Sequence, residues 1–236
     1  MKRFATLGLA VAIMAAFVAL SAPTTLVKAQ NAGLVSSILN RMERNRRDLK
    51  SMRADISMAK YDSKVRVEDK YQGKVLYMPA AGRNAYVRLD WQSPQRETLT
   101  VADGQYTLFR PRLNMAYQGK SASVGKSSSK ASGMLEFLNM SSQQVKARFE
   151  PLQDIYEETL WGGDRTTHFK LVPKGGASYK YAEIWVDGSG MPIQTKVVEK
   201  NDDATTVRLM NVQKNAGIST DEFKLKLDGN VKIVKS

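Results

Sequence analysis

The chain contains no cysteine and a single histidine in 236 residues. Without cysteine it has no disulfides, no thiolate metal sites and no cysteine nucleophile. A zinc site built from several histidines is excluded as well, and a Ser-His-Asp triad would need His168 as its base. His168 falls on the polar side of the alternating residues 166–170, so we predict an exposed histidine on a strand.

Long apolar runs are also missing, apart from one near the N-terminus. Residues 7–20 are apolar and follow two basic residues, but this run is shorter than the roughly 20 residues that span a bilayer. Residues 27–29 (VKA) suit a signal peptidase. We therefore predict a secretory signal over residues 1–29, cleaved after Ala29, and a single exported domain over residues 30–236. An uncleaved membrane anchor is the alternative.

Patterns of catalytic residues are scarce too. Residues 188–190 (GSG) lack the spacing of a nucleophile elbow. Glu157 and Glu158 are adjacent, so on a strand their carboxylates would point to opposite faces and could not act as a pair. We predict that the protein is not an enzyme and has no catalytic residues, no bound metal and no cofactor.

Positive charge, by contrast, is abundant. The formal net charge is +13, and because the predicted signal carries three basic and no acidic residues, the mature chain keeps +10. A charge of this size favours contact with anionic surfaces. For an exported protein we expect no nucleic-acid partner. A solvated basic surface and salt-sensitive binding of an anionic polymer both remain open as interpretations.

The hydrophobic pattern changes period along the chain. Helical spacing predicts an amphipathic helix of about 16–18 residues that packs on a sheet or, alternatively, lies on a membrane; its apolar positions are Leu34, Val35, Ile38, Leu39 and Met42. From Met52 the period is two, which predicts a six-stranded antiparallel meander up to residue 118, with a bulge or bend at Gly73. Strands resume at residue 151, and residues 231–234 predict an edge strand. We expect an α+β fold with mostly antiparallel strands, about eleven in all, and no parallel α/β architecture.

An unusual insert separates the two runs of strands. Residues 121–132 are rich in Ser, Lys and Gly and predict a loop. Residues 133–149 are helix-like, and their first part is densely apolar, with Met134, Leu135, Phe137, Leu138 and Met140. This segment is either a buried core helix or a movable lid over an apolar site.

Alternation along the strands predicts which side chains would line such a site. We expect one face of the sheet to form a binding cavity for an apolar ligand, lined by Ile56, Met58, Val87, Leu89, Trp91, Leu99, Val101, Phe169, Leu171, Ile184 and Val186. If helices filled this face completely, it would be an ordinary core instead.

Several short motifs resemble one known family. They are residues 48–55 (DLKSMRAD), 91–94 (WQSP), 101–106 (VADGQY), 185–193 (WVDGSGMPI) and 215–223 (NAGISTDEF). Together they make the mature chain similar to the LolA-type periplasmic carriers of outer-membrane lipoproteins.

This resemblance implies an incomplete, half-open β-barrel with helices as a lid, whose apolar interior holds acyl chains of a lipoprotein or another lipid. It implies a monomeric carrier that takes cargo from an inner-membrane donor and passes it to an outer-membrane acceptor. It also implies that Arg83 contacts the lid, although Asn84 stands where the family has proline. Related folds sense envelope lipoproteins, so a non-catalytic sensor or protein-interaction module is the alternative function.

Overall fold

The structure, a computed structural model, describes residues 25–80, 85–121 and 137–235, with side chains from residue 33. The chain divides into two compact units, Met1–Ser37 and Ile38–Ser236. The described part of the first unit is helical. Within the described ranges, no helix combines the length and the apolar character that crossing a bilayer requires.

Helix α1 covers Thr25–Asp48 and is longer than the sequence pattern indicated, because residues 25–33 contain no proline to interrupt it. Its second half belongs to the larger unit, and there Ile38, Leu39 and Met42 of the predicted stripe are buried. Basic residues occupy its last turn, where they interact favourably with the helix dipole.

Among its described residues, the larger unit contains twelve strands and the helix α2, over Ser142–Arg148. The strands in chain order are β1 Met52–Asp62, β2 Val67–Pro79, β3 Ala85–Ser93, β4 Glu97–Ala102, β5 Gln105–Arg110, β6 Met115–Lys120, β7 Gln153–Thr159, β8 Arg165–Leu171, β9 Tyr179–Asp187, β10 Pro192–Glu199, β11 Ala204–Lys214 and β12 Lys232–Lys235.

All twelve strands belong to one sheet, in the order β12-β6-β5-β4-β3-β2-β1-β11-β10-β9-β8-β7. The predicted meander β1 to β6 is confirmed, as are the mostly antiparallel α+β class and the edge strand near the C-terminus. That edge strand, β12, runs parallel to its neighbour β6. Because β12 and β7 stand at the two ends of the order, the sheet is open and the barrel is incomplete, as expected.

Local sequence explains how neighbouring strands meet. Asp103 and Gly104 both have positive φ, at 51° and 75°, as a tight turn between β4 and β5 requires. The pairing of β2 with β3 shifts register at Gly73, which confirms the predicted bulge. A Cβ at Gly73 would lie 3.0 Å from the Cα of Trp91, so the two strands approach more closely there than a side chain permits.

The insert is only partly covered by the described residues. Residues 137–139 are helical, and α2 follows after a break at residues 140–141. Ser141 starts α2 with a capping box, in which its hydroxyl accepts from the backbone of Gln144 and the Gln144 side chain accepts from the backbone of Ser141. All but the first residue of the predicted loop at residues 121–132, together with Met134 and Leu135, lie outside the described residues.

His168 corrects one prediction. It is only 3% exposed, although it does lie on the side of β8 opposite to the buried Phe169. Its ring packs between those of Tyr156 on β7 and Trp185 on β9, with centroid distances of 4.4 and 4.5 Å. The prediction of an exposed histidine was wrong because cross-strand aromatic neighbours cover the ring, and alternation along one strand carries no information about them.

Candidate functional site

The strand registers place all eleven predicted cavity residues on the same face of the sheet, here called the apolar face. One row runs from Leu108 through Leu99, Leu89 and Val75 to Ala54 across five neighbouring strands. A second row links Met58, Val207, Thr195, Ile184 and Phe169. Residues directly opposite each other in paired strands point to the same side, so the two rows belong to one continuous face.

Burial of these residues is nearly complete. Ten of the eleven are buried, and Val101 is half-buried. Six of the ten, from β1, β3 and β4, belong to one hydrophobic cluster, against which Val101 packs. The other four, Phe169, Leu171, Ile184 and Val186, lie on β8 and β9. Whether these side chains make room for a ligand stays a prediction.

The described part of the insert packs on the β1–β5 part of the apolar face. Leu138 belongs to the same hydrophobic cluster as Leu89 and Leu99. Next to it, the hydroxyl of Tyr77 on β2 donates a hydrogen bond to Oδ1 of Asn139. Phe137 and Phe149, at the two ends of the described insert, approach each other with ring centroids 6.4 Å apart. The predicted apolar residues Phe137, Leu138 and Met140 are therefore part of the packed interior.

The second half of α1 packs over β8 and the β9–β10 turn. Arg41 donates to the hydroxyl of Thr167 on β8 at 3.3 Å, and Nδ2 of Asn45 donates to the sulfur of Met191 at 3.3 Å. Gly190 in the β9–β10 turn has φ +87°, and a Cβ there would lie 2.6 Å from the backbone nitrogen of Met42. Only glycine lets the helix backbone approach the turn this closely.

Glu43 connects the two helices that cover the face. Its carboxylate accepts from Arg46 at 2.6 Å, from Arg47 at 3.2 Å and from the backbone N–H of Ser142 at 3.1 Å. The hydrogen bond from Arg46 is the main reason that the pKa of Glu43 falls to about 2, and the Ser142 N–H contributes in the same direction. Glu43 is therefore ionised at neutral pH and holds the first turn of α2 against α1.

Tyr77 has the opposite shift. Burial raises the pKa of its hydroxyl to about 12, while the hydrogen bond to Asn139 and the positive charge of Arg46 lower it in part. The phenol is thus a neutral donor at physiological pH, which is the form that the contact with Asn139 requires.

Sequence reasoning found the apolar face but not the polar contacts that hold its cover. No sequence pattern marks Glu43, Tyr77 and Asn139, because each of them contacts a residue that is distant in sequence. Arg83, the residue that the resemblance pointed to as a lid contact, lies outside the described residues, as do Met134 and Leu135.

The arrangement offers apolar contact over a broad face, with threonines as the polar exceptions, such as Thr167 and Thr195. Apolar side chains bind by dispersion and by the hydrophobic effect, without directional chemistry. A ligand suited to this face would be a hydrocarbon chain that displaces part of the helical cover.

Comparison with solved structures supports the fold. An uncharacterised conserved protein from Thermus thermophilus is 10% identical over 85% of this chain and 98% of its own, with a TM-score of 0.51. MucB is 12% identical over 86% of this chain and 66% of its own, with a TM-score of 0.53. At these identities the likeness concerns the fold alone. Among curated proteins, none matches the chain by sequence.

A family model gives a more specific result. The model described as outer membrane lipoprotein carrier protein LolA matches residues 47–226, which is most of the chain and includes the sheet from β1 to β11. Members of this family are carriers or binding modules rather than enzymes. The protein belongs to the LolA family.

Proposed function

We propose that this protein carries acyl chains of lipoproteins, or of another lipid, through the periplasm. In this role it takes cargo from an inner-membrane donor, holds the chains on the apolar face, and passes them to an outer-membrane acceptor, working as a monomer. Residues 1–29 would direct export and be removed after Ala29, which leaves residues 30–236 as the carrier domain. The observation that supports the proposal most is the family match over residues 47–226.

The energetics explain why such a carrier needs an apolar face. Each buried CH₂ group contributes about 0.8 kcal/mol, so an acyl chain of about 15 such groups resists transfer into water by roughly 12 kcal/mol. A cargo of this kind crosses an aqueous compartment only if another apolar surface covers it. In the described part of the chain, the apolar face, which continues across neighbouring strands of the sheet, is a surface that could cover an acyl chain.

Loading would displace the insert rather than the sheet. The strands are held by continuous ladders, whereas the first part of the described insert is tied to α1 and β2 by the hydrogen bonds Tyr77–Asn139 and Ser142–Glu43. The end of the insert is held more firmly, because Lys174 donates to the carbonyls of Lys146 and Arg148. Methionine at position 140 adds an adaptable side chain to this cover. We propose that residues 137–142 leave the face as an acyl chain enters.

One observation favours the alternative, a sensor or protein-interaction module on the same fold. Leu89 and Phe169 are 2% and 0% exposed, so the protein's own side chains already cover much of the face. A module of this kind would keep the interior filled and would bind a protein at its surface.

Binding of a hydrophobic fluorescent dye distinguishes the two functions. We expect the purified protein to bind such a dye, a long-chain lipid to displace it, and native mass spectrometry to detect bound lipid. The variant Val101→Glu places a charge on the half-buried margin of the apolar face and should weaken dye binding by about tenfold or more. Thr107→Glu is the control, because Thr107 lies on the opposite face of the neighbouring strand.

Each outcome has a clear meaning. Weak binding by Val101→Glu and normal binding by Thr107→Glu, with both variants folded by circular dichroism, supports the carrier function. If no lipid displaces the dye, or both variants bind as the wild type does, the apolar face is a filled core and the carrier function is wrong.

A further inference from the structure

The largest exposed apolar side chain of the described residues belongs to a turn between two strands. Trp161 is 86% exposed and stands at the tip of the β7–β8 hairpin. The other two tryptophans, Trp91 and Trp185, are 8% and 7% exposed. A tryptophan that stays in water forgoes the large stabilisation that its burial provides, so its position calls for a partner outside the chain.

The hairpin holds this ring in a defined place. Leu160 N–H donates to the carbonyl of Asp164 at 2.8 Å, and Gly163 N–H donates to the carbonyl of Leu160 at 3.0 Å. Gly162 and Gly163 have φ of +98° and +93°, which a tight loop of this shape needs. The loop is therefore a closed turn that presents Trp161, rather than a loose connection.

Arg208 ties the hairpin to the middle of the sheet. Its guanidinium donates to the carbonyl oxygen of Trp161 at 2.5 Å and to Asp164 at 2.8 Å. Arg208 lies on β11, and the same strand ends six residues later at Lys214. At about 3.3 Å per residue, the contact at Trp161 lies roughly 20 Å along the strand from Lys214.

Basic side chains collect at this end of the sheet. The antiparallel pairings Thr166–Asp187 and Met52–Lys214 place the start of β8, the start of β1 and the end of β11 towards one end of the sheet, and the tip of the β7–β8 hairpin reaches from there to Arg208. The exposed basic residues here form what we call the basic end, which consists of Arg44, Arg47, Lys50, Arg165 and Lys214. Arg44 and Lys214 line one pocket together with Asp48.

We propose that Trp161 and the basic end dock the protein on an anionic phospholipid surface. Tryptophan is the side chain that settles most readily at the headgroup level of a bilayer, and lysine and arginine next to it attract anionic headgroups. The net charge, +13 for the full chain and +10 without residues 1–29, adds a long-range attraction of the same sign.

A membrane fits this surface better than a protein partner does. A stable protein interface covers about 800 Å² per partner and has an apolar centre. Trp161 is instead followed by two glycines and by the exposed Asp164 and Arg165. A lone ring amid polar residues suits insertion between headgroups. The docking is independent of the cargo, so its failure would leave the carrier function untouched.

Tryptophan fluorescence tests the proposal directly, because Trp91 and Trp185 are shielded. We expect vesicles of phosphatidylglycerol and phosphatidylcholine to shift the emission to the blue and to protect it from acrylamide, whereas vesicles of phosphatidylcholine alone have little effect. Trp161→Ala should lose this response, and in a sedimentation assay its affinity for anionic vesicles should fall by about tenfold or more. Its backbone carbonyl remains, so the hairpin contact with Arg208 persists and the variant should fold.

Matched controls lie at the opposite end of the sheet. Leu113 is 54% exposed in the turn between β5 and β6, so Leu113→Ala should bind vesicles as the wild type does. Lys50→Gln should weaken binding about fivefold, while Lys64→Gln in the β1–β2 turn should not.

Three results would overturn the proposal. The first is an emission spectrum that anionic vesicles leave unchanged. The second is vesicle binding by Trp161→Ala equal to that of the wild type, which would mean that charge alone attracts the protein. The third is a partner protein that quenches Trp161 emission while vesicles do not, which would assign the ring to a protein interface.

Discussion

The carboxylate of Glu43 on α1 accepts a hydrogen bond from the backbone N–H of Ser142, the first residue of α2, at 3.1 Å. The first N–H groups of a helix have no partner within the helix, so this acceptor satisfies one of them. Glu43 also accepts from Arg46 and Arg47 of its own helix. One ionised side chain thus joins two elements that are about 100 residues apart in sequence.

Replacing Glu43 by glutamine should destabilise the protein at pH 7. The neutral amide is a weaker acceptor for Arg46 and for the Ser142 N–H, and we expect a loss of about 1–2 kcal/mol in the free energy of unfolding. Urea denaturation followed by circular dichroism measures this loss. Glu68→Gln is the control, since Glu68 pairs with Lys70 on an exposed strand and should cost little.

The same residue should make stability depend on acid. The pKa of Glu43 is lowered from 4.5 to about 2 in the folded protein, so its contribution is fully present above about pH 4.5 and is lost as the pH falls towards 2. We expect the wild type to lose more stability than Glu43→Gln over this range. Parallel pH profiles of the two proteins would show that the carboxylate is not stabilised by folding.

Tyr77→Phe tests the contact between β2 and the insert. The variant keeps the ring and loses the hydrogen bond to Asn139, and we expect a cost of roughly 1 kcal/mol at pH 7. Because the folded pKa of Tyr77 is raised from 10 to about 12, the stabilisation is present below pH 10 and disappears as the pH rises through 12. The wild type should therefore lose more stability than Tyr77→Phe in this range. At pH 7, Tyr61→Phe at the exposed end of β1 is the control and should cost little.

Two glycines of one turn provide a matched pair. Gly190→Ala forces a side chain into a backbone with φ +87° and against the backbone of Arg41 and Met42, so we expect a loss of roughly 2–4 kcal/mol. Gly188→Ala, two residues earlier, meets open space and should change stability by less than about 0.5 kcal/mol. Equal unfolding midpoints for the two variants would mean that α1 does not lie against this turn.

His168→Ala should lower the free energy of unfolding far more than the substitution of a surface histidine would. The variant removes a ring packed between Tyr156 and Trp185, and we expect a loss of about 2–3 kcal/mol together with a red shift in the emission of Trp185. Tyr156→Ala should cost less, since Tyr156 is 49% exposed. A loss below about 0.5 kcal/mol for His168→Ala would contradict the packed arrangement.

Much of the sheet could be predicted from alternation alone. Val87, Leu89 and Trp91 alternate with polar neighbours, and the structure places all three on the apolar face of β3. The period-two pattern identifies the face of each strand because successive side chains point to opposite sides. The bulge at Gly73 followed from the same pattern, since a glycine inside a long strand marks a close backbone approach.

Other features depend on neighbours that one strand does not specify. His168 was expected in water because its own strand alternates, yet rings from β7 and β9 cover it. The parallel placement of β12 beside β6 could not be read from four residues. Trp161 stands next to a Gly-Gly pair that signals a turn, but the sequence does not say that Arg208 of β11 holds that turn.

By itself, the sequence determined the class of fold, the approximate number of strands, the apolar side of each strand and the family, because these follow from local periodicity and short motifs. Tertiary structure alone decided that β1 pairs with β11 and β12 with β6, how α1 and the insert cover the apolar face through Glu43 and Tyr77, and which aromatic rings are buried or exposed. The physical reason is that burial and hydrogen bonding between distant segments depend on register and chain path, which local patterns do not encode.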